Sequence, residues 1–526
     1  MSDPADTPPK KEPEDSYVGR VARGAGISSI GQGTGRVFGY VTQAVLARTF
    51  GAGQFGLYTL GIAVISAANI LSQFGFDNGV VRYVAHYRTQ EDAARVRGTI
   101  IQAVGITVGI SLVVAVALFF GAGALTGWLN QPEAEPIVRA FAFALPLFAL
   151  MSILAWATQG FQTVTYATYA QQILRPLVYF VLVVGVYFTG AGLGGVVVAY
   201  AVSMGVGAVF ALYFLRKLFP LLFDRRVSPK FETRALVSVS LPMSVQRFTQ
   251  YANNWTGVLV LGLFQSASAV GIFQAAFRTA TLATLVRFAF NGIFSPIISN
   301  LYSRGEMEDL KRLYKDVTRW TFTGAFALFL VIVLLASEIL LVFGGPEFTE
   351  GWTALVIVAA AQLFSTSVGP APRMLAMTGN QNVVMVASAT GAVLGVGGCF
   401  VLVPEFGLVG AAIGVSAAIS LENAATLVMV RRRLGAWPFS PQYLKPLLAG
   451  LLAAGAAYLA RTSLPLPDGI PSILAVGVVF GVCFLALLAL FGLSSTDREF
   501  LRAFWQVARR YLWRLRRGRS GGEEGQ

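Results

Sequence analysis

A single histidine, His86, serves all 526 residues, and it lies in a basic stretch of the chain. Histidine catalysis and histidine metal sites are unsupported, because either needs a partner group to share or orient the ring. Only two cysteines occur, Cys399 and Cys483, both in apolar runs. That pattern supports neither a disulfide framework nor a thiolate metal centre. No Walker lysine motif is present, so ATP hydrolysis by that route is excluded. The Gly31-Gln32-Gly33-Thr34-Gly35 run has no strand before it and fails as a dinucleotide fingerprint. Charge is scarce too: 13% of residues are charged against 55% hydrophobic. Soluble domains of this size do not have that balance, whereas polytopic membrane proteins do. Long outer loops are also missing, which counts against a membrane glycan polymerase or ligase with a catalytic loop domain. The expectation is a carrier and not an enzyme, with no catalytic residue, no metal and no cofactor beyond a coupling ion.

What is present is a series of about fourteen apolar stretches of roughly 20 residues, each long enough to cross a bilayer. The net charge of +14 lies in the short loops between them, which argues against a nucleic-acid partner. With the N-terminus placed inside, thirty-two of the forty Lys and Arg residues fall in cytoplasmic segments. Three, Arg48, Arg139 and Arg461, fall at the outer side. This asymmetry predicts an even number of spans with both termini cytoplasmic, in the plasma (cytoplasmic) membrane. Residues 1–24 read as a disordered cytosolic tail, because Met1 to Glu14 are rich in Pro, Asp, Glu and Lys. From Asp497 on, Leu501, Phe504, Trp505, Ala508, Tyr511, Leu512 and Leu515 recur at helical spacing among arginines. Residues 497–526 therefore read as a basic amphipathic tail on the inner leaflet, either an orientation anchor or a binder of anionic membrane lipids.

An internal repeat is visible. Phe50-Gly-Ala-Gly-Gln-Phe-Gly56 after the first span resembles Phe264-Gln-Ser-Ala-Ser-Ala-Val-Gly271 after the seventh. Six spans separate the copies, so both have the same membrane orientation, as in transporters built from two parallel lobes. The expected fold is all-α and polytopic: a six-helix lobe over 25–217, a second over 234–433, and two extra helices over 443–493.

Five arginines remain inside the spans: Arg36, Arg175, Arg247, Arg278 and Arg287. Only one carboxylate, Glu422, lies comparably deep. A charge in hydrocarbon costs several kcal/mol, roughly, unless it faces a wet cavity or a partner. In the first span Gln32, Arg36, Tyr40 and Gln43 share one helix face by their spacing. The seventh span carries Arg247, Gln250, Tyr251 and Asn254 on neighbouring faces. Arg36 and Arg247 are expected at similar depth in equivalent helices, projecting with Arg278 into one central cavity. Arg175 and Arg287 lie nearer the cytosol, where a long side chain reaches the interface by snorkelling. Arginine suits phosphate because its planar fork stays charged and binds oxygens in pairs. Glu422, beside Asn423, either binds Na+ or a proton for coupling or neutralises a buried arginine.

The stretch from Gly35 to Arg88 contains Leu46-Ala-Arg-Thr-Phe-Gly51, Phe55-Gly-Leu-Tyr58 and Phe74-Gly-Phe-Asp-Asn-Gly-Val-Val-Arg-Tyr83. It resembles the polysaccharide biosynthesis (oligosaccharide flippase) family of the multidrug/oligosaccharidyl-lipid/polysaccharide (MOP) exporter superfamily. The resemblance implies two six-helix lobes forming a V around a central cavity. It also implies alternating access and inner-to-outer transport of polyprenyl-pyrophosphate-linked oligosaccharide, with glycan-assembly enzymes as further partners. Related lipid II flippases share the Gly-Arg-x-x-Gly pattern, which carries a cavity role over to Arg36. Their basic pair late in the second span reads Ser72 and Gln73 here, which counts against lipid II as the substrate. A drug or cation antiporter of the same superfamily would want buried carboxylates, and arginines outnumber them.

Overall fold

A computed structural model of the chain describes residues 17–463 and 469–492. The basic tail over 497–526 and the first sixteen residues lie outside the described residues. No proline lies between Pro13 and Pro132, so none bars a helix there. The helix accordingly begins at Tyr17, so residues 17–24, expected as part of a disordered tail, are helical.

The described chain is helical throughout. In order it runs α1 (Tyr17–Gln73), α2 (Phe76–Thr89), α3 (Ala93–Trp128), α4 (Glu135–Gln159) and the short α5 (Thr165–Thr168). It continues with α6 (Arg175–Thr189), α7 (Gly192–Leu218), α8 (Thr233–Phe264), α9 (Ala267–Thr281) and α10 (Leu285–Ser303). Then follow α11 (Met307–Leu334), α12 (Ala336–Gly344), α13 (Trp352–Ser367), α14 (Ala371–Met377), α15 (Gln381–Leu434), α16 (Leu444–Ser463) and α17 (Ile470–Leu490).

Eleven described segments are long and apolar enough to cross a membrane, and two of them, of 43 and 54 residues, are long enough to cross it twice, so the number of segments is not the number of spans. Two of them carry a kink. Gly51 (φ 73°) interrupts α1 and Gly407 (φ 51°) interrupts α15. At 1.5 Å per residue the 57 residues of α1 would span roughly 85 Å if straight. A bilayer core offers only about 30 Å, so the helix has to turn, and glycine takes the left-handed backbone without strain. α8 is absent from the eleven because Arg247, Gln250, Asn253 and Asn254 interrupt its apolar run.

The kink in α1 frees backbone donors, and the second half of the chain satisfies one of them. The Ala52 N–H donates to Glu347 Oε2 at 3.3 Å. Arg48 donates to the Leu341 carbonyl at 3.3 Å. Beyond the kink the repeat copies face each other. A Cβ on Gly56 would strike the Ala267 carbonyl, and a Cβ on Gly271 would strike the Ala52 carbonyl. The contacts are reciprocal: with 52 equivalent to 267 and 56 to 271, 56 meets 267 and 271 meets 52, as two parallel copies related by an axis along the membrane normal require. Gly75 and Gly79 press on Ser240 of α8 in the same manner. Gly56 and Gly75 of the signature stretch are thus backbone-contact points between the two halves. Small residues are what membrane helices use to approach closely.

The last two helices dock on the second half through their own apolar cluster. Phe322, Phe326 and Leu330 of α11 pack with Ala449 and Ala453 of α16 and Phe480 of α17. An ion pair of Arg461 with Glu338 joins α16 to α12, and Arg461 also donates to the Leu334 carbonyl at 2.6 Å.

Gly56→Ala should lower thermal stability by about 1–3 kcal/mol through backbone overpacking. Gly53 has open space around its Cβ position. Gly53→Ala should therefore be neutral or stabilising by up to about 1 kcal/mol from helix propensity. Thermal unfolding of the detergent-solubilised protein measures both.

Candidate functional site

Between the halves lies a polar cavity of about 810 Å³. α1 contributes Arg36, Tyr40 and Gln43, with Gly35 and Gly39 between them. Opposite is a π-helical turn, Tyr169–Leu174, followed by Arg175 and Pro176. Pro176 has no N–H to give the carbonyl of Gln172 four residues back. That carbonyl faces α1 at Gly35, where a Cβ would collide with it. Arg175 answers the next carbonyl, Nε to Gln171 O at 3.4 Å. Gln171, Gln172 and Arg175 all line the cavity.

The second half supplies the other wall: Gln250, Asn253 and Asn254 from α8, and Arg278 from α9. Arg287 from α10, Ser365 from α13, Arg373 from α14, and Glu422 and Asn423 from α15 complete it. α1 is fastened to this wall by two hydrogen bonds, Arg36 Nη1 to Thr284 Oγ1 at 3.2 Å and Tyr40 Oη with Thr279 Oγ1 at 3.1 Å. Arg287 donates to Ser365 Oγ at 2.9 Å, and Ser365 donates on to Asn423 Oδ1 at 3.1 Å. Asn253 donates to Glu422 Oε2 at 3.3 Å. Arg278 stacks over Trp255, 5.8 Å from the ring centre.

Five arginines and one glutamate therefore face a single space. They are close enough to act on one another. Like charges around one space repel one another, and the single carboxylate of Glu422 offsets only part of that charge. Three buried polar atoms on the cavity residues, Gln43 Oε1, Asn253 Oδ1 and Arg278 Nε, have no hydrogen-bond partner among the described residues. Excess positive charge and the open Arg278 donor suit an anion with acceptor oxygens, while the two open amide oxygens accept from hydroxyl donors. A second groove, about 910 Å³, runs along α4 and α7 past Phe143, Leu147, Val198 and Phe210. It is larger but has almost no polar atoms, and it matches a lipid-facing surface.

Of the residues expected at the site, Arg36, Tyr40, Gln43, Gln250, Asn254, Arg278, Glu422 and Asn423 line this cavity. Gln32, Arg247 and Tyr251 do not. Arg247 is the main correction. It is ion-paired with Asp77, whose side chain is 1% exposed, and lies over Trp156 at 4.9 Å. The cause is register: Arg36 stands fourteen residues before Phe50, whereas Arg247 stands seventeen before Phe264. Three residues turn a helix by roughly 300° and shift it by about 4.5 Å, so the two arginines are not equivalent. Tyr251 is spent on the Ala63 carbonyl of α1, at 2.9 Å.

Arg175, Arg287 and Arg373 were not expected there. For Arg175 the available signal was its place beside Gln171 and Gln172 in an otherwise apolar span. Arg287 is nine residues past Arg278, half a turn away on a straight helix. A 3₁₀ turn at Leu282–Thr284 intervenes and adds roughly 60° of rotation. That rotation helps bring Arg287 to the cavity.

Residues 21–302 match the polysaccharide biosynthesis protein family, more than half of the chain. The chain belongs to this family. Residues 242–401 also match the MatE family. Stage V sporulation protein B of Bacillus subtilis is 22% identical over 424 residues, 75% of this chain and 81% of that protein. The probable low-salt glycan biosynthesis flippase Agl15 of Haloferax volcanii is 23% identical over 196 residues, 37% of this chain and 42% of its own length. The inward closed structure of the lipid II flippase MurJ superposes with a TM-score of 0.71 at 13% identity, covering 88% of this chain and 98% of MurJ. That likeness is one of fold.

Within this family member, Asp77→Asn should cost about 3–5 kcal/mol, because it leaves the Arg247 charge without its partner. The double variant Asp77→Asn, Arg247→Gln should recover a large part of that loss. Thermal unfolding compares the two.

Proposed function

We propose that this protein is a flippase for polyprenyl-pyrophosphate-linked oligosaccharide, moving it from the inner to the outer leaflet by alternating access. Membership of the polysaccharide biosynthesis family supports the substrate class. The observation that carries it is the cavity, where arginines from both halves outnumber the one carboxylate. Guanidinium groups bind phosphoryl oxygens in pairs, and in a site of low dielectric such bonds are strong. Without substrate, Arg36 on one half and Arg278 and Arg287 on the other repel. A diphosphate between them turns that repulsion into attraction, so the loaded cavity favours closure and reorientation. Tyr40, Gln43, Gln250 and Asn254 offer hydrogen bonds to sugar hydroxyls.

Glu422, held by Asn253, takes the coupling Na+ or proton. The distribution of Lys and Arg supports a cytoplasmic-membrane location with both termini inside, where glycan-assembly enzymes hand over the substrate. The protein acts as a carrier and makes no covalent change in its cargo.

In liposomes holding a fluorescent lipid-linked oligosaccharide, Arg36→Gln with Arg278→Gln should slow flipping by about 100-fold or more, two charge-assisted bonds being lost. A wild-type rate in that double variant would refute the function. Glu422→Gln should remove the response of the flipping rate to an imposed Na+ or pH gradient. An unchanged response would exclude Glu422 as the coupling group.

A further inference from the structure

The linker between the two halves, residues 219–232, is fastened to the start of α3. Arg97 donates to the Leu222 carbonyl at 2.9 Å and also to the Val227 carbonyl. The Lys230 N–H donates to the Ala94 carbonyl at 3.1 Å, and a Cβ on Gly98 would strike the Lys230 carbonyl. Phe219 and Leu222 are buried, with the Phe219 ring 5.9 Å from that of Phe161. This fastening leaves other apolar side chains outside: Leu221, Phe223 and Phe231 are exposed, each phenylalanine by 57%. Exposed cations alternate with them, Arg216 and Lys217 in the last turn of α7, then Arg225, Arg226 and Lys230. Two acids lie in the same stretch. Glu232 is matched by Arg95 of α3 at 2.9 Å, and Asp224 accepts from the Arg226 N–H at 2.9 Å. Five cations therefore stand against the charge of Asp224.

The neighbours of this surface fix its depth. Leu212 and Tyr213, one turn before Arg216 and Lys217, are exposed on the apolar α7. Ile101, one turn beyond Arg97 on α3, is exposed as well. One turn is about 5.4 Å, so the linker lies at the edge of the lipid-facing belt, where phospholipid headgroups stand. A similar arrangement recurs in the second half, 215 residues on from Arg216 and Lys217. Arg431 and Arg432 lie in the last turn of α15, and Arg431 is 4.8 Å from the ring centre of exposed Trp437, as Arg216 is 6.0 Å from that of Phe223. Aromatic rings and cations at helix ends are how membrane proteins meet the headgroup layer.

We infer that the linker is a docking surface for anionic phospholipid headgroups of the inner leaflet, with Arg225, Arg226 and Lys230 on the phosphates and Phe223 and Phe231 in the acyl boundary. The inference rests on the membrane orientation proposed above and is independent of the cargo. Basic side chains close to an anionic leaflet each add to binding, and apolar side chains beside them insert. A zwitterionic headgroup brings its own cation and leaves the excess charge of the linker unmatched. A soluble acidic protein would match that charge but would leave the phenylalanines beside the lipid belt uncovered. Headgroup binding holds the junction of the two halves at the membrane surface.

The test uses the full chain in nanodiscs of phosphatidylcholine, with or without phosphatidylglycerol. A water-soluble amine reagent is added, and modification of Lys230 is followed by peptide mass spectrometry, with Lys315, an exposed lysine of α11, as the reference. Phosphatidylglycerol should slow modification of Lys230 about tenfold relative to Lys315. Arg225→Gln with Arg226→Gln should remove most of that protection, and so should Phe223→Ser with Phe231→Ser. Native mass spectrometry of the unaltered protein should show phosphatidylglycerol retained in preference to phosphatidylcholine. Equal modification of Lys230 in the two nanodiscs would overturn the inference and leave this surface to a soluble acidic partner. Equal retention of the two lipids would overturn it too, as would full protection of Lys230 in the Arg225, Arg226 double variant.

Discussion

Holding five guanidinium groups around one space inside a membrane is the constraint on which the rest of this structure depends. Water cannot be left to solvate them from the lipid side, so protein must supply the acceptors. The cavity wall is accordingly built of Gln, Asn, Ser and Thr at positions where an apolar helix would otherwise run. The same charges push the halves apart. That repulsion is opposed elsewhere, by the glycine contacts at Gly56 and Gly271, by the approach of Gly75 and Gly79 to Ser240, and by the Asp77–Arg247 pair.

Partner and position, more than residue type, decide what an arginine does here. Arg247 and Arg461 are matched by Asp77 and Glu338, two nearly buried carboxylates, and they tie helices together. A buried pair of that kind adds little net stability but is costly to break, which suits a clamp between elements. Among the described residues no carboxylate is paired with Arg278. It lies on an indole face with its Nε unpartnered among the described residues, which keeps its charge available to a ligand.

Irregular helix is concentrated where the charges are. The π turn at Tyr169–Leu174 bares backbone carbonyls beside Arg175, and the 3₁₀ turn at Leu282–Thr284 reorients Arg287. Both are departures that a regular 3.6-residue period cannot represent. In a membrane they are tolerated because they border a polar space and not lipid.

Apolar run length, the loop distribution of Lys and Arg, and the spacing of Arg36, Tyr40 and Gln43 are properties of the chain taken locally. They pointed to a helical membrane protein with two related halves and placed Arg36, Tyr40 and Gln43 on one face of its first span, where all three line the cavity. The repeat was legible in the sequence for the same reason, since Gly56 and Gly271 had to be glycine where backbones touch. Which helices face each other is not a local property. Only the tertiary structure decided that Arg247 meets Asp77 outside the cavity, and that Arg175, Arg287 and Arg373 turn into it. A shift of three residues or one tight turn of helix rotates a side chain to another face, and sequence periodicity does not record where such a shift occurs.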